Sequence, residues 1–283
     1  MDGDEKRRRD DDDTTDKATT CKLQRSSLDC LARVASCKTV CRAAEALALH
    51  DTVASLVHRP LTDEVVLAFA EYVALRPRWP GAHELHPLEA THGRVAIIDF
   101  TAQAPRDQSQ GDALAGATGY GRDLPPRNSA NVASARAAIE VVLSVLPAQL
   151  AKVAALDASE LLASLRRHTG RRQFILRLEL NLGDTCQKWH RDLNISRAIV
   201  TYCGPGTLVA HEEGVSREDG GAVVAVDACH VVQADAGDVL IMKGGLWEGA
   251  EGRGAAHRAP AIGPMPSCTT HRLMLKIDVS EDF

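Results

Sequence analysis

His190 and Asp192 are the residues whose types and spacing first indicate chemistry, within the stretch Cys186-Gln-Lys-Trp-His-Arg-Asp192. In an extended backbone, side chains two residues apart lie on the same face of a strand. An imidazole and a carboxylate on one face can act as neighbouring ligands of one metal ion. We therefore interpret the pair as part of a metal site; the alternative is a hydrogen-bonded pair at a strand end.

The third ligand is predicted at His257, in the stretch Ala255-Ala-His-Arg-Ala-Pro260. A turn and an apolar strand, Ala236-Gly-Asp-Val-Leu-Ile-Met242, precede it, and this order is more specific than a lone His-x-Asp. Two histidines and one carboxylate form a facial triad typical of iron(II) oxygenases, which leaves metal positions open for a cosubstrate and oxygen. The same three side chains also suit zinc.

The elements around these residues change type along the chain. Helical spacing of apolar residues predicts helices at 23–49, 62–75, 133–156 and 159–167, with one strand near 94–100. From Gln173 onward the period of two and the frequent turns predict strands at 173–181, 197–203, 222–226, 229–234, 238–243 and 271–279. We therefore predict an α+β protein with a mainly helical region, 21–170, packed on a β-barrel or jelly roll, 171–283.

Composition restricts the other classes. Residues 1–20 are charged and nearly free of large apolar groups, so we expect a disordered tail. The net charge of −5 predicts no nucleic-acid partner. No run is apolar enough for a membrane, and the expected location is the cytoplasm, although Lys6 to Arg9 could form a weak nuclear signal. The eight cysteines are expected to be reduced and mostly buried.

The ordered series resembles the prolyl-hydroxylase and AlkB-like dioxygenases, which use iron(II) and 2-oxoglutarate. The resemblance lies in the His-x-Asp strand, the strand Arg197-Ala-Ile-Val-Thr-Tyr202, the turn Gly237-Asp238, and His257. It implies a double-stranded β-helix with iron(II) on the triad. It also implies that a basic residue on the last strand binds the far carboxylate of 2-oxoglutarate. Arg272 matches that position, Lys243 and Arg258 are rival anchors, and Thr201 and Tyr202 complete the predicted cofactor set.

The sequence resembles still more closely a family known only as a domain of unknown function, DUF1826. Its recurring motifs are Cys-x-x-aromatic-His-x-Asp, Thr-Tyr-x-Gly-Pro-Gly-Thr, Gly-Asp-Val-Leu-x-x-Lys-Gly, His-Arg-x-Pro and Arg-Leu-x-Leu-x-x-Asp. This resemblance covers about residues 90–280 and implies no established activity. The matching segments here are 186–192, 201–207, 237–244, 257–260 and 272–278.

Three functions remain open at this point. The preferred one is a 2-oxoglutarate-dependent oxygenase that acts on a small-molecule or protein substrate. The second is a cupin-like protein that binds zinc or iron without turnover, in metal homeostasis. The third is a protein-interaction role for the helical region. His211, His230 and His271 lack partners at ligand spacing, so we interpret them as surface or core histidines.

Overall fold

A mixed eight-stranded sheet organises the protein, with strand order β1-β2-β11-β6-β13-β5-β3-β4. The computed structural model describes residues 33–75, 91–100, 130–132, 134–182, 186–217, 223–249, 254–261 and 271–279. The strands are β1 Arg33–Cys37, β2 Thr52–Val57, β3 Thr91–Asp99, β4 Ala130–Val132, β5 Gln173–Leu182, β6 Ser196–Cys203, β7 Leu208–Ala210, β8 Val215–Arg217, β9 Val223–Val226, β10 Val231–Gln233, β11 Val239–Lys243, β12 His257–Arg258 and β13 His271–Val279. The helices are α1 Val40–Ala46, α2 Asp63–Ala74, α3 Ala135–Leu143 and α4 Ala148–Thr169.

The pairing within this sheet is antiparallel at its centre and parallel at its two edges. Strands β2, β11, β6, β13, β5 and β3 pair antiparallel in that order, whereas β1–β2 and β3–β4 are parallel. A second sheet has the order β10-β7-β12, and β8 pairs with β9. Helices and mixed sheets together give the α+β class that the sequence predicts.

The two faces of the large sheet bury different kinds of residue. On β5, Phe174, Leu176, Leu178 and Leu180 belong to the apolar core that the helices cover, as do Leu273, Leu275 and Ile277 on β13. The opposite face packs Ile199, Leu240, Met242 and Met274 with Val209 of the second sheet. Because side chains alternate along a strand, Arg272, Lys276 and Asp278 lie on the face of Met274. We call this face, which is turned toward the second sheet, the inner face.

Several boundaries follow from local chemistry. Thr62 precedes α2, whose first turn carries Asp63 and Glu64, where acidic side chains are favoured by the helix dipole. Pro147 immediately precedes α4, where its fixed φ and missing N–H are tolerated. Gly170 ends α4 with φ 66°, in the left-handed region that favours glycine. None of the described helices is long and apolar enough to cross a membrane.

The first half contains more sheet than the sequence predicts. The predicted helix 23–49 is wrong at Arg33–Cys37, which forms β1 beside the wholly buried strand β2. The predicted helix 133–156 is two helices, and α4 continues through 159–167 without a break. Sheet pairing overrides local helical spacing here. Strands β1 to β4 share one sheet with β5, β6, β11 and β13, so no boundary at 170 separates helices from strands. The predicted strand 94–100 corresponds to β3, and the predicted tail 1–20 lies outside the described residues.

A buried acid joins α4 to the sheet. Asp157 is 4% exposed and forms a two-pronged ion pair with Arg59, whose Nη2 donates to Oδ2 at 2.9 Å. The hydroxyl of Tyr202, on β6, donates to the same oxygen at 2.8 Å. The Tyr202 ring also stacks on Phe69 of α2, with centroids 4.6 Å apart. Asp157 therefore ties α4 to β6 and to the segment after β2, while the Tyr202 ring joins β6 to α2.

We expect Asp157→Asn to lower the free energy of unfolding by about 2–4 kcal/mol, because it leaves the Arg59 charge without its partner. Tyr202→Phe removes one hydrogen bond and should cost roughly 1 kcal/mol. Urea denaturation measures both. Glu71→Gln, at an exposed position on α2, is the control and should leave stability unchanged. A cost for Asp157→Asn no larger than the control would contradict this account.

Candidate metal centre

Two backbone hydrogen bonds bring the predicted ligand segments side by side. The His190 N–H donates to His257 O at 3.0 Å, and the His257 N–H donates to His190 O at 2.9 Å. His257 also pairs with Val209 of β7, so His190 joins the edge of the second sheet through an isolated bridge. The two histidines are therefore directly opposite each other, where side chains are close neighbours.

The loop after β11 fixes the position of Asp192. The Gly245 N–H donates to Asp192 O at 2.7 Å, and the Gly244 N–H donates to Ile195 O at 2.9 Å. A Cβ at Gly244 would collide with the backbone of Asn194, so only glycine permits this close approach. Backbone contacts, and not only side-chain contacts, hold the acid beside the histidines.

The three side chains converge as predicted. Their ligand atoms all lie within 4.8 Å of one another. Asp192 Oδ2 is 3.2 Å from His257 Nε2, and Asp192 Oδ1 is 3.9 Å from His190 Nε2. The two imidazole rings have centroids 4.4 Å apart. Small side-chain rotations would place each ligand atom at the roughly 2 Å that a bound transition metal requires.

Both imidazoles present the same nitrogen to this centre. His190 Nδ1 is 2.9 Å from Lys188 O, and His257 Nδ1 is 3.1 Å from Ala255 O. A carbonyl oxygen only accepts, so each Nδ1 carries the hydrogen and each neutral ring keeps a lone pair on Nε2. Backbone carbonyls are common outer partners of metal-bound histidines because they fix the tautomer and the ring orientation.

The contact between His257 and Asp192 tests whether a metal fits. Asp192 Oδ2 is buried; Arg197 Nη1 lies 2.7 Å from it as an ion-pair partner, but no group in the described part of the chain forms a well-aligned hydrogen bond to this oxygen. It nevertheless lies 3.2 Å from His257 Nε2, which carries a lone pair in the neutral ring. Two electron-rich atoms at this separation repel each other unless a cation or a proton lies between them. The donor set and this contact fit a divalent metal ion.

Charges around the site favour the protonation state that a metal needs. Burial by itself would raise the pKa of Asp192, but nearby positive charge, that of His257 when its ring is protonated and that of Arg197, outweighs it and holds the pKa well below its usual range. Arg197 Nη1 is 2.7 Å from Asp192 Oδ2. Burial lowers the pKa of His190, so its ring is neutral at neutral pH and stays neutral to lower pH than an exposed histidine. A carboxylate and a neutral imidazole are the forms that bind metal.

Arg191, between the two ligands, is a positioning residue that the sequence does not reveal. Its Nε donates to Gly254 O at 2.6 Å, three residues before His257. Its Nη2 donates to both carboxylate oxygens of Glu212 at 3.1 Å. The side chains of Arg191 and Glu212 are 8% and 6% exposed. Arg191 therefore joins its own ligand segment to the one that carries His257.

A chain of ion pairs on the inner face also escapes sequence reasoning. Asp278 forms ion pairs with Arg197 and, at 3.5 Å, with Arg177. Glu179 forms one with Lys276 at 2.6 Å. Alternation predicts which residues share a face, but not which of their charges meet across strands. These ion pairs reach the candidate metal site through Arg197, which contacts both Asp278 and Asp192.

Two of the predicted cofactor residues lie on the inner face. Arg272 is 3% exposed and its Nη2 donates to Thr207 Oγ1 at 3.0 Å. Thr201, at 2% exposure, is paired with Met274 on the neighbouring strand. Arg258 lies at the second sheet, with its guanidinium 4.9 Å from the centre of the Trp189 ring. These placements are compatible with the predicted roles.

The other two predicted residues belong to the helix-covered face. Lys243 is the last residue of β11 and lies on the side of this strand that faces the helices. Its Nζ donates to Leu49 O at 2.8 Å. Tyr202 is in the helix-covered core and bonds Asp157. Alternation puts both on the side of the sheet opposite to Met242 and Met274. Their assignment to the cofactor set is therefore corrected.

Comparisons with known proteins place the chain in context. A family model described as "Protein of unknown function (DUF1826)" matches residues 110–278. No curated protein matches. The chain is similar to a solved Pseudomonas putida prolyl-4-hydroxylase, with 15% identity, a TM-score of 0.41, and coverage of 87% of this chain and 100% of that one. It is also similar to a "putative 2OG-Fe(II) oxygenase family protein" from Caulobacter crescentus, with 14% identity, a TM-score of 0.39 and coverage of 88% and 86%. At this level of similarity, function has to be inferred from the site.

We expect His257→Ala to reduce Mn²⁺ affinity by more than the roughly 10–100-fold that loss of an outer partner costs, because it removes a ligand. Electron paramagnetic resonance of Mn²⁺ titrated into the full chain measures the free ion. His50→Ala, at an exposed turn, is the control and should bind like the wild type. Equal affinity of the His257 variant and the control would exclude the triad.

Arg191→Met should weaken Mn²⁺ binding by about 10–100-fold, because both ligand segments lose a shared clamp while the apolar stem is kept. Arg217→Met is a matched control, since Arg217 also pairs with Glu212 but lies on β8 and not on either ligand segment. Binding isotherms and thermal unfolding should be compared for both variants. If the two lose stability equally and neither loses Mn²⁺ affinity, Arg191 has only a structural role.

Proposed function

The chain belongs to the DUF1826 family, and from that premise we propose that it is an iron(II)- and 2-oxoglutarate-dependent oxygenase of the hydroxylase type. The observation that carries the proposal is the convergence of His190, Asp192 and His257 on one point, with both Nε2 atoms available. Such a triad occupies one face of an octahedral ion and leaves the other face for reactants.

We further propose that the two sheets form a double-stranded β-helix. Strands β11, β6, β13 and β5 are neighbours in the large sheet, and β10, β7, β12 and the His190 segment are neighbours in the second. From β5 to β13 the chain passes repeatedly from one sheet to the other. This is the path expected of a chain that winds through two facing layers. In the proposed arrangement the triad lies between the two sheets, with His190 partly exposed to solvent.

Arg272 is the proposed anchor for the cosubstrate acid. Its Nε is buried and has no hydrogen-bond partner among the described residues. Burial lowers its pKa to about 10, because the surroundings do not compensate the charge fully. The acid on the neighbouring strand, Glu179, is already paired with Lys276. A buried guanidinium in this state fits a carboxylate supplied by a ligand, which can accept two parallel hydrogen bonds.

The residues divide the work of the proposed reaction. When bound, iron(II) and 2-oxoglutarate supply the oxidising chemistry, which belongs to the cofactor. His190, Asp192 and His257 hold the metal, and Arg197 keeps Asp192 ionised. Arg272, with Thr207 beside it, orients the far carboxylate of the acid. Apolar residues on the inner face would keep water away from the reacting atoms. Met274, two residues after Arg272 on the same strand, is one of them.

We expect Arg272→Ala to weaken 2-oxoglutarate binding by about thirtyfold or more, since losing a charge-assisted pair costs about 2–5 kcal/mol. Calorimetry on the full chain loaded with Mn²⁺ avoids turnover and measures this affinity. Mn²⁺ binding itself should survive the substitution. A decarboxylation assay with Fe²⁺ should show 2-oxoglutarate-dependent succinate formation in the wild type, and Arg272→Ala should need about thirtyfold or more 2-oxoglutarate for the same rate.

Arg258→Ala is the matched control, because Arg258 is the rival anchor on the second sheet. It should keep wild-type affinity for 2-oxoglutarate. The opposite pattern would transfer the anchoring role to Arg258. A Mn²⁺-loaded wild type that binds no 2-oxoglutarate would contradict the oxygenase and favour a metal-binding protein without turnover.

A further inference from the structure

Two short 3-10 turns that do not belong to the triad are hydrogen-bonded to each other. They are Glu212–Gly214, between β7 and β8, and Ala228–His230, between β9 and β10. The His211 N–H donates to His230 O, and the Asp227 N–H donates to Gly214 O, both at 2.9 Å. These backbone hydrogen bonds hold the two turns, and the side chains that they carry, close together.

Three metal-ligating side chains converge on the second turn. Ligand atoms of Asp227, Cys229 and His230 lie within 4.8 Å of one another. Asp227 Oδ1 accepts a hydrogen bond from the Cys229 N–H at 3.1 Å, and the Cys229 thiol also hydrogen-bonds to this carboxylate. Cys229 is a free thiol and is exposed, contrary to the expectation that the cysteines are mostly buried. The group is accessible to an ion from solvent.

The neighbouring turn orients the histidine of this group. His230 Nδ1 is 2.9 Å from Glu213 Oε1, so the carboxylate accepts the Nδ1 hydrogen and Nε2 keeps the lone pair. A Cβ at Gly214 would collide with the Cβ and ring of His230, so glycine permits this packing. A carboxylate that fixes the tautomer of a histidine is the usual outer partner of a metal ligand.

We propose that Asp227, Cys229 and His230 form a second metal site, which takes a thiophilic divalent ion of the zinc class. A thiolate, an imidazole and a carboxylate are zinc ligands, and water would complete the tetrahedron. Binding releases the thiol proton of Cys229, and no electron transfer is involved. The ligand atoms need to approach only to the roughly 3.5 Å separation that tetrahedral zinc requires. Glu213 acts on the site through His230.

Cobalt(II) separates this site from the triad, since a thiolate ligand gives a charge-transfer absorption in the near ultraviolet and the triad contains no sulfur. Titration of the reduced full chain should produce this band with a stoichiometry of one. The band should persist in His257→Ala, disappear in Cys229→Ser, and need about 10–100-fold more cobalt in Glu213→Gln. Excess Zn²⁺ should abolish it.

Cys186→Ser is the matched control, because Cys186 is also exposed and lies near His190 in sequence. The band should be unchanged in this variant. Absence of a thiolate band in the wild type, or a band that survives Cys229→Ser, would overturn the proposal. Because every variant is also titrated with Mn²⁺ at the triad, failure of the second site is distinguishable from failure of the first.

Discussion

The pair of backbone hydrogen bonds between His190 and His257 is the constraint on which the site depends. It makes two residues that are far apart in sequence direct neighbours, with ring centroids 4.4 Å apart. Backbone pairing is insensitive to the side chains it positions, so it can hold two ligands without using their nitrogens. The Nδ1 contacts to backbone carbonyls then leave both Nε2 atoms for a metal.

The site also requires that the charges of its buried groups be compensated by neighbouring charges. A buried carboxylate such as Asp192 is costly unless a cation stays close, and Arg197 supplies that cation at 2.7 Å. Arg197 is in turn balanced by Asp278, which also contacts Arg177. Arg272 stands apart, because its hydrogen bond to Thr207 is neutral and the other charges in the described part of the chain compensate its own only in part. That contrast on a single face distinguishes a structural cation from a candidate ligand-binding one.

The helical side of the sheet supports the site at a distance. Tyr202 and Asp157 lock α4 to β6, the strand whose other face carries Arg197. Where sequence reasoning was wrong, at β1, the reason is tertiary: Arg33–Cys37 gains a strand partner in β2 that local spacing does not reveal. A five-residue edge strand has too few residues for its period to outweigh the helical pattern around it.

The sequence by itself determined the ligand types, the His-x-Asp spacing, and the alternation of β5 and β13, because these depend only on local geometry. It did not determine which face of a strand is the inner one. Alternation gives the period of a strand, but its phase depends on what packs against each side, so Thr201 and Tyr202 could not be separated in advance. The cluster of Asp227, Cys229 and His230 beside Glu213 likewise became visible only in the tertiary structure. The reason is that the hydrogen bonds between the two turns bring Glu213 to His230.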